Sequence, residues 1–233
     1  LQTQTSKINA DISFNYDRKD LQFFSDKVNI KANFSNSRIS LKDLSRFYGE
    51  FGIEDVLNID GNLVGTLNNF TVNQLNVNSD DGIIIDGNLK FINAIDTNNG
   101  FSFEGDLKNV TANYQELKSV LPNLIGKTLP TEFKRLGVFT LKGKTFINED
   151  KLDLDIVVFS EIGTTKANLK LTNIANIDEA NYKGNVELLD FNMGKFFNEP
   201  LFGKITLNGD VNGTGFRIDN VNTGIIGIVK KLD

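Results

Sequence analysis

Lys7-Ile8-Asn9-Ala10-Asp11-Ile12-Ser13-Phe14-Asn15-Tyr16 carries an apolar residue at every second position. Successive side chains of an extended chain point to opposite sides, so Ile8, Ala10, Ile12, Phe14 and Tyr16 share one face and Lys7, Asn9, Asp11, Ser13 and Asn15 the other. The stretch reads as a half-buried strand. The same alternation recurs along the chain: Val28, Ile30, Ala32 and Phe34; Ile59, Gly61, Leu63, Gly65 and Leu67; Ile83, Ile85, Gly87, Leu89 and Phe91; Phe101, Phe103, Gly105 and Leu107. The second half repeats it with Phe139, Leu141 and Gly143; Leu152, Leu154, Ile156 and Val158; Ala167, Leu169 and Leu171; Tyr182, Gly184, Val186 and Leu188; and Ile205, Leu207, Gly209 and Val211.

Short clusters rich in Asn, Asp and Gly separate these runs, among them Asn78-Ser79-Asp80-Asp81-Gly82 and Asn98-Asn99-Gly100. Such residues tolerate positive φ and suit tight hairpins, so consecutive strands pair antiparallel. Stacked at about 4.8 Å, roughly a dozen strands make a sheet on the order of 55 Å long, which must curve over its apolar side. The expected fold is all-β: a long, curved, repetitive antiparallel sheet with a few short helices. The chain is expected to form one continuous elongated unit over residues 1–233.

Three segments break the alternation with helical spacing. Leu41, Leu44, Phe47 and Tyr48 form a stripe within 41–51, with Ser40 placed to cap it. Asn113 precedes Glu116 and the apolar Leu117, Val120 and Leu121 within 113–121, a capping-box pattern that stops at Pro122. A third lies near 192–197. Each is followed by a strand of apolar, polar, Gly form: Ile59-Asp60-Gly61, Leu141-Lys142-Gly143 and Leu207-Asn208-Gly209. This is degenerate repetition of a supersecondary unit, and three short helices are too little to cover so long a sheet.

Composition removes whole classes of function. The chain has 233 residues, 39% hydrophobic and 24% charged, and its net charge of -5 leaves no basic surplus for neutralising phosphates. No nucleic-acid partner is expected. Cysteine and histidine are both absent, which removes disulfides, thiolate metal sites, and the commonest general base and neutral metal ligand. No enzyme activity, metal or cofactor is expected. The paired acids Asp80-Asp81, Asp153 and Asp155, and Asp178-Glu179 complete no calcium or acid-base pattern; the middle pair sits on the polar face of a strand and the others in turns. The glycines from Gly209 to Gly215 follow no phosphate-binding spacing and read as a hairpin turn. The Asn-X-Ser/Thr triplets at Asn33, Asn69, Asn109 and Asn212 are what an Asn-rich chain produces by chance.

No stretch reaches the roughly 20 apolar residues of a spanning helix, and the opening Leu1-Gln2-Thr3-Gln4-Thr5 has no signal-peptide pattern. With no initiator Met, the chain reads as part of a longer polypeptide, with any anchors outside it.

In Ile39-Ser40-Leu41-Lys42-Asp43-Leu44 leading to Ile59-Asp60-Gly61-Asn62-Leu63, in Val138-Phe139-Thr140-Leu141-Lys142-Gly143, and in Ile205-Thr206-Leu207-Asn208-Gly209-Asp210-Val211, the chain resembles the AsmA/TamB-like envelope proteins. The resemblance implies a long β-groove, U-shaped in section and apolar inside, that bridges the Gram-negative envelope through the periplasm. Such a groove conducts phospholipid or supports outer-membrane protein assembly, with an outer-membrane barrel assembly protein as partner. Membranes would be met through parts of the chain not present here. Phospholipid acyl chains would lie on a lining drawn from Ile8, Ile12, Phe14, Val28, Ile30, Phe34, Leu63, Leu67, Ile83, Ile85, Leu89, Phe101, Phe103, Leu107, Leu141, Leu154, Ile156, Val158, Leu169, Leu171, Val186, Leu188, Ile205, Leu207 and Val211. The alternative is a structural or adhesive secreted β-repeat protein whose apolar face is an ordinary dry core.

Overall fold

The structure, a computed structural model, describes residues 2–49, 51–52, 54–120, 122, 129–176, 178–216 and 220–233. Twelve strands form a single antiparallel sheet in sequence order: β1 Ala10–Asn15, β2 Asn29–Ser40, β3 Val56–Gly65, β4 Phe70–Ser79, β5 Ile84–Ile92 and β6 Ser102–Ala112, then β7 Phe139–Asn148, β8 Lys151–Ser160, β9 Gly163–Thr172, β10 Asn181–Asn192, β11 Lys204–Thr214 and β12 Asn222–Leu232. Every strand pairs with its sequence neighbours, and among the described residues β1 and β12 are the edge strands of a sheet that does not close. The all-β curved repetitive sheet expected from the alternation is therefore the fold.

Helices are few and short: α1 Phe24–Lys27, α2 Leu41–Leu44, α3 Tyr114–Val120 and α4 Met193–Phe197, with 3-10 turns at Arg18–Phe23, Thr97–Asn99 and Thr131–Leu136. Asn113 and Glu116 form the expected capping box: the Asn113 side chain accepts from the Gln115 and Glu116 amides, and Glu116 Oε2 accepts from the Asn113 amide at 2.6 Å. Ser40 does precede α2, but its side chain makes no cap bond, and the helix is one turn rather than the length of 41–51. Of the helical segments expected from sequence, Glu50 and Leu121 lie outside the described residues.

The repetition has a cadence of four strands. Helical inserts follow β2, β6 and β10, all at the same end of the sheet, and each of those strands carries a bulge before its insert, between Phe34 and Ser37, Leu107 and Val110, and Leu188 and Phe191. A bulge adds a residue and bends its strand, which prepares the chain to leave the sheet. Gly61 and Gly143, from the repeated apolar-polar-Gly motif, pair with Phe34 and Leu107 at two of these bulges. At Gly143, φ is 131°, and a Cβ would stand 2.1 Å from the Asp155 carbonyl oxygen. Only glycine lets β7 approach β8 so closely there.

Three readings are corrected. Gly209 and Gly213 are not a hairpin turn; they lie within β11, facing Gly227 and Thr223 of β12. Gly213 leaves room for the Tyr182 hydroxyl to reach across to the Thr223 hydroxyl. β4 and β12 are strands that the alternation did not reveal. In β4 a bulge between Val72 and Leu75, with Gln74 at φ 52°, shifts the count by one. β12 is apolar on both faces, so it has no alternation to find.

Candidate functional site

One register row crosses the whole sheet: Ile12, Ala32, Leu63, Val72, Leu89, Gly105, Thr145, Leu154, Leu169, Gly184, Val211 and Ile225, each directly opposite the next. Residues opposite one another in a ladder share a face, so eleven of the twelve positions in this row are apolar or glycine and Thr145 is the exception. A parallel row nearer the far end holds Phe14, Ile30, Gly65, Phe70, Phe91 and Phe103. Its aromatic rings touch in series, with centroids 4.8 Å apart for Phe70 and Phe91 and 5.1 Å for Phe91 and Phe103. Between large residues the face carries small ones: Gly87 faces Leu107, Leu107 faces Gly143, and Val186 faces Gly209. Large against small lets a curved sheet keep its side chains from colliding on the inner side.

Every strand residue of the sequence-derived lining falls on this face. Ile30, Leu171, Leu207 and Val211 are buried there. Phe34, Leu63, Ile85, Leu89, Phe103, Leu107, Leu141, Leu154, Ile156, Val158, Leu169, Val186, Leu188 and Ile205 are half-buried. Ile12 and Phe14, on edge strand β1, are 48% and 51% exposed. Val28, Ile83 and Phe101 are buried just before their strands begin, while Leu67 lies in the β3–β4 turn and Ile8 precedes β1; both of these are half-buried. Val72, Leu75, Val77, Phe70, Ile225 and Val229 belong to the same face and went unnoticed, for the reasons given for β4 and β12.

The inserts cover more of this face than their helix lengths suggest. Segment 41–55 packs Leu41, Leu44 and Phe51 on Leu57, Leu75, Val77 and Ile83. It then reaches along the face to the opposite end of the sheet, where Tyr48 donates to the Leu67 carbonyl at 3.2 Å and its ring lies 5.8 Å from Phe70. Burial pushes the Tyr48 hydroxyl pKa up to about 12. The inserts also meet one another. Gly52 donates to the Val120 carbonyl at 3.0 Å and Ser119 to Asp55 at 2.8 Å, while Arg135 donates to the Phe196 carbonyl at 2.7 Å and Phe133 packs edge-on to Phe196. The expectation that the helices are too small to form a second layer is corrected at this end of the sheet. At the other end Ile174 and Phe216, from connecting loops, pack on Ile147, Leu171, Tyr182 and Val211.

The opposite face is polar and laddered. Asn58 bonds Asn78 at 3.1 Å, Asn185 bonds Asn208 and Asp210, and Lys90 pairs with Glu104 at 2.8 Å. Lys166 pairs with Glu187 at 2.7 Å, and the hydrogen bond from Lys166 holds the Glu187 carboxyl below its usual range. A concavity of about 510 Å³ opens on this face, lined by Lys90, Glu104, Asp106, Lys144, Asp153, Asp155 and Lys170 among others. Its charges alternate across neighbouring strands: Lys144 stands opposite Asp106 and Asp155, and Asp153 opposite Lys170. Asp153 and Asp155 are thus partners in a solvated charge ladder. The described residues include no cluster of three or more acids able to hold a metal ion. Elsewhere, Asp43 accepts from Thr3, Thr5 and Ser6 at 2.5–2.8 Å, and these bonds, the Ser6 bond first, hold its carboxyl pKa near 2.

No helix among the described residues is long and apolar enough to cross a membrane. Comparison of the chain with protein-family models, with curated proteins and with solved structures returns no match.

Proposed function

We propose that this chain forms a lipid-conducting β-groove of the AsmA/TamB-like kind in a Gram-negative envelope, supporting phospholipid transport or outer-membrane protein assembly. Acyl chains lie on the apolar face. The observation that carries this reading is the row across twelve strands of an unclosed sheet, apolar or glycine at every position but Thr145, with its central side chains half-buried rather than shut away. Burying an acyl methylene there contributes about 0.8 kcal/mol without any directional bond, which suits sliding better than capture. The polar face stays in water and carries the soluble side of the structure. This reading assigns the chain no catalytic role, in keeping with a sequence that has neither His nor Cys.

The test is lipid retention. The protein is purified, bound lipid is identified by native mass spectrometry, and uptake of a fluorescent fatty acid is measured for four variants. Leu63→Lys and Ile156→Lys put a charge on the apolar face; Asn62→Lys and Asp155→Lys put one on the polar face. The first pair is expected to weaken uptake at least about tenfold, or about 1.4 kcal/mol, and the second pair to leave it unchanged. Equal uptake by all four folded variants would sink the reading.

A structural β-repeat with a dry core is the second reading, and segment 41–55 favours it, because Tyr48 and Phe51 occupy apolar surface that a lipid would use. A protein that purifies free of lipid and takes up no fatty acid is the expected result of that reading.

A further inference from the structure

We propose that segment 41–55 is a hinged strap, closed over β3–β5 in this structure, which lifts at Tyr48 to let an acyl chain pass beneath it. This inference rests on the lipid reading and names the part of the chain that controls passage. The segment leaves the sheet after β2, crosses the apolar face to Leu67 and Phe70 at the opposite end, and returns to enter β3. The apolar rows run from strand to strand, whereas the strap runs along the strands. A lipid sliding along the rows therefore meets the strap broadside.

Root and tip of the strap are held very differently. At the root the Leu41 amide donates to the Asp55 carbonyl at 2.9 Å, Asp55 accepts from Ser119 at 2.8 Å, and Leu41 is fully buried. At the tip, among the described residues, a single hydrogen bond from Tyr48 to the Leu67 carbonyl ties the strap to the sheet, beside the contact of its ring with Phe70. Phe47 is 63% exposed, and a Cβ on Gly49 would meet nothing within 4 Å, so the tip is not packed from outside. Between root and tip, Gly52 donates to the Val120 carbonyl at 3.0 Å. A segment pinned at one end and lightly held at the other opens locally, tip first, without unfolding the sheet.

The surface under the tip suits either occupant. Phe70, Val72, Leu89 and Phe91 are apolar and half-buried, so an acyl chain can supply the burial that the Tyr48 ring gives up. When the binding-competent state is the open one, apparent affinity falls by the fraction of molecules that are open. Loosening the tip therefore tightens binding at β4, and fastening it abolishes binding there.

The experiment is photolabelling of the chain with a fatty acid that carries a diazirine, mapped by peptide mass spectrometry. It compares β4, under the strap, with β8, where Leu154 and Ile156 lie beyond it. Both strands are expected to label. Tyr48→Phe keeps the ring and removes the tip bond, and should raise β4 labelling by subsaturating probe about fivefold while leaving β8 unchanged. The double variant Tyr48→Cys/Phe70→Cys, in a chain with no other cysteine, lets a bismaleimide bridge the tip to the sheet. The bridged form should lose β4 labelling at least about tenfold relative to the same variant capped with N-ethylmaleimide, and should keep its β8 labelling. Equal β4 labelling of the bridged and capped forms would overturn the strap. Label on β8 with none on β4, in both the natural chain and Tyr48→Phe, would make segment 41–55 a fixed cover and overturn the strap while the lipid reading stands. No label on either strand in any form would overturn the lipid reading and the strap together.

Discussion

Leu171 in β9 and Leu232 in β12 lie on the same apolar face of the same sheet, yet Leu171 is 5% exposed and Leu232 is 70% exposed. Alternation alone therefore does not bury a side chain. Leu171 has strands on both sides, facing Leu152 and Tyr182, and a loop residue, Ile174, packs in the same cluster. Leu232 has a neighbouring strand on one side only, facing Ile205, and nothing above it among the described residues. Edge and interior differ in their neighbours, not in their pattern, and the pattern fixes only which way a side chain points.

That comparison can be broken at its strongest point first. Leu41 is fully buried where segment 41–55 meets the sheet, so Leu41→Ala should cost about 2–5 kcal/mol through lost burial and the cavity left behind. Urea unfolding measures it. Gly143→Ala comes next, at about 2 kcal/mol or more, because its Cβ would collide with the β8 backbone at a φ that disfavours alanine. Tyr48→Phe keeps the ring against Phe70 but removes the donor to Leu67, and a loss of about 1 kcal/mol is expected. Leu232→Ala should cost below about 0.5 kcal/mol, since the side chain is already in water. A loss at Leu232 as large as that at Leu41 would abolish the distinction between edge and interior.

Acid sharpens the picture at the start of the chain. Asp43 has its pKa lowered to about 2, so its bonds to Thr3, Thr5 and Ser6 contribute stability that is present above the unfolded carboxyl value and lost as pH falls through about 2. The protection of the residue 3–6 amides, taken relative to the intrinsic exchange rate at each pH, is expected to fall over that acid window and to stay constant from neutral pH down to the unfolded value. The Asp43→Asn variant should show the faster exchange at neutral pH.

Much of this molecule was legible as local pattern. Ten of the twelve strands announce themselves by alternation, the face each apolar residue takes follows from its parity, and the box at Asn113 and Glu116 is written in two residues three apart. The alternation failed where a bulge at Gln74 broke the period in β4 and where β12 has apolar residues on both faces. What the alternation could not contain was the cover. Tyr48 meets Phe70 and Leu67, Gly52 meets Val120, and Arg135 meets Phe196, pairings that bring together elements far apart along the chain. The sequence by itself determined that there is one antiparallel sheet with one apolar and one polar face, because a pleat alternates whatever surrounds it. Only the tertiary structure decided which parts of the apolar face are covered, because burial depends on how distant inserts and neighbouring strands come to rest on it.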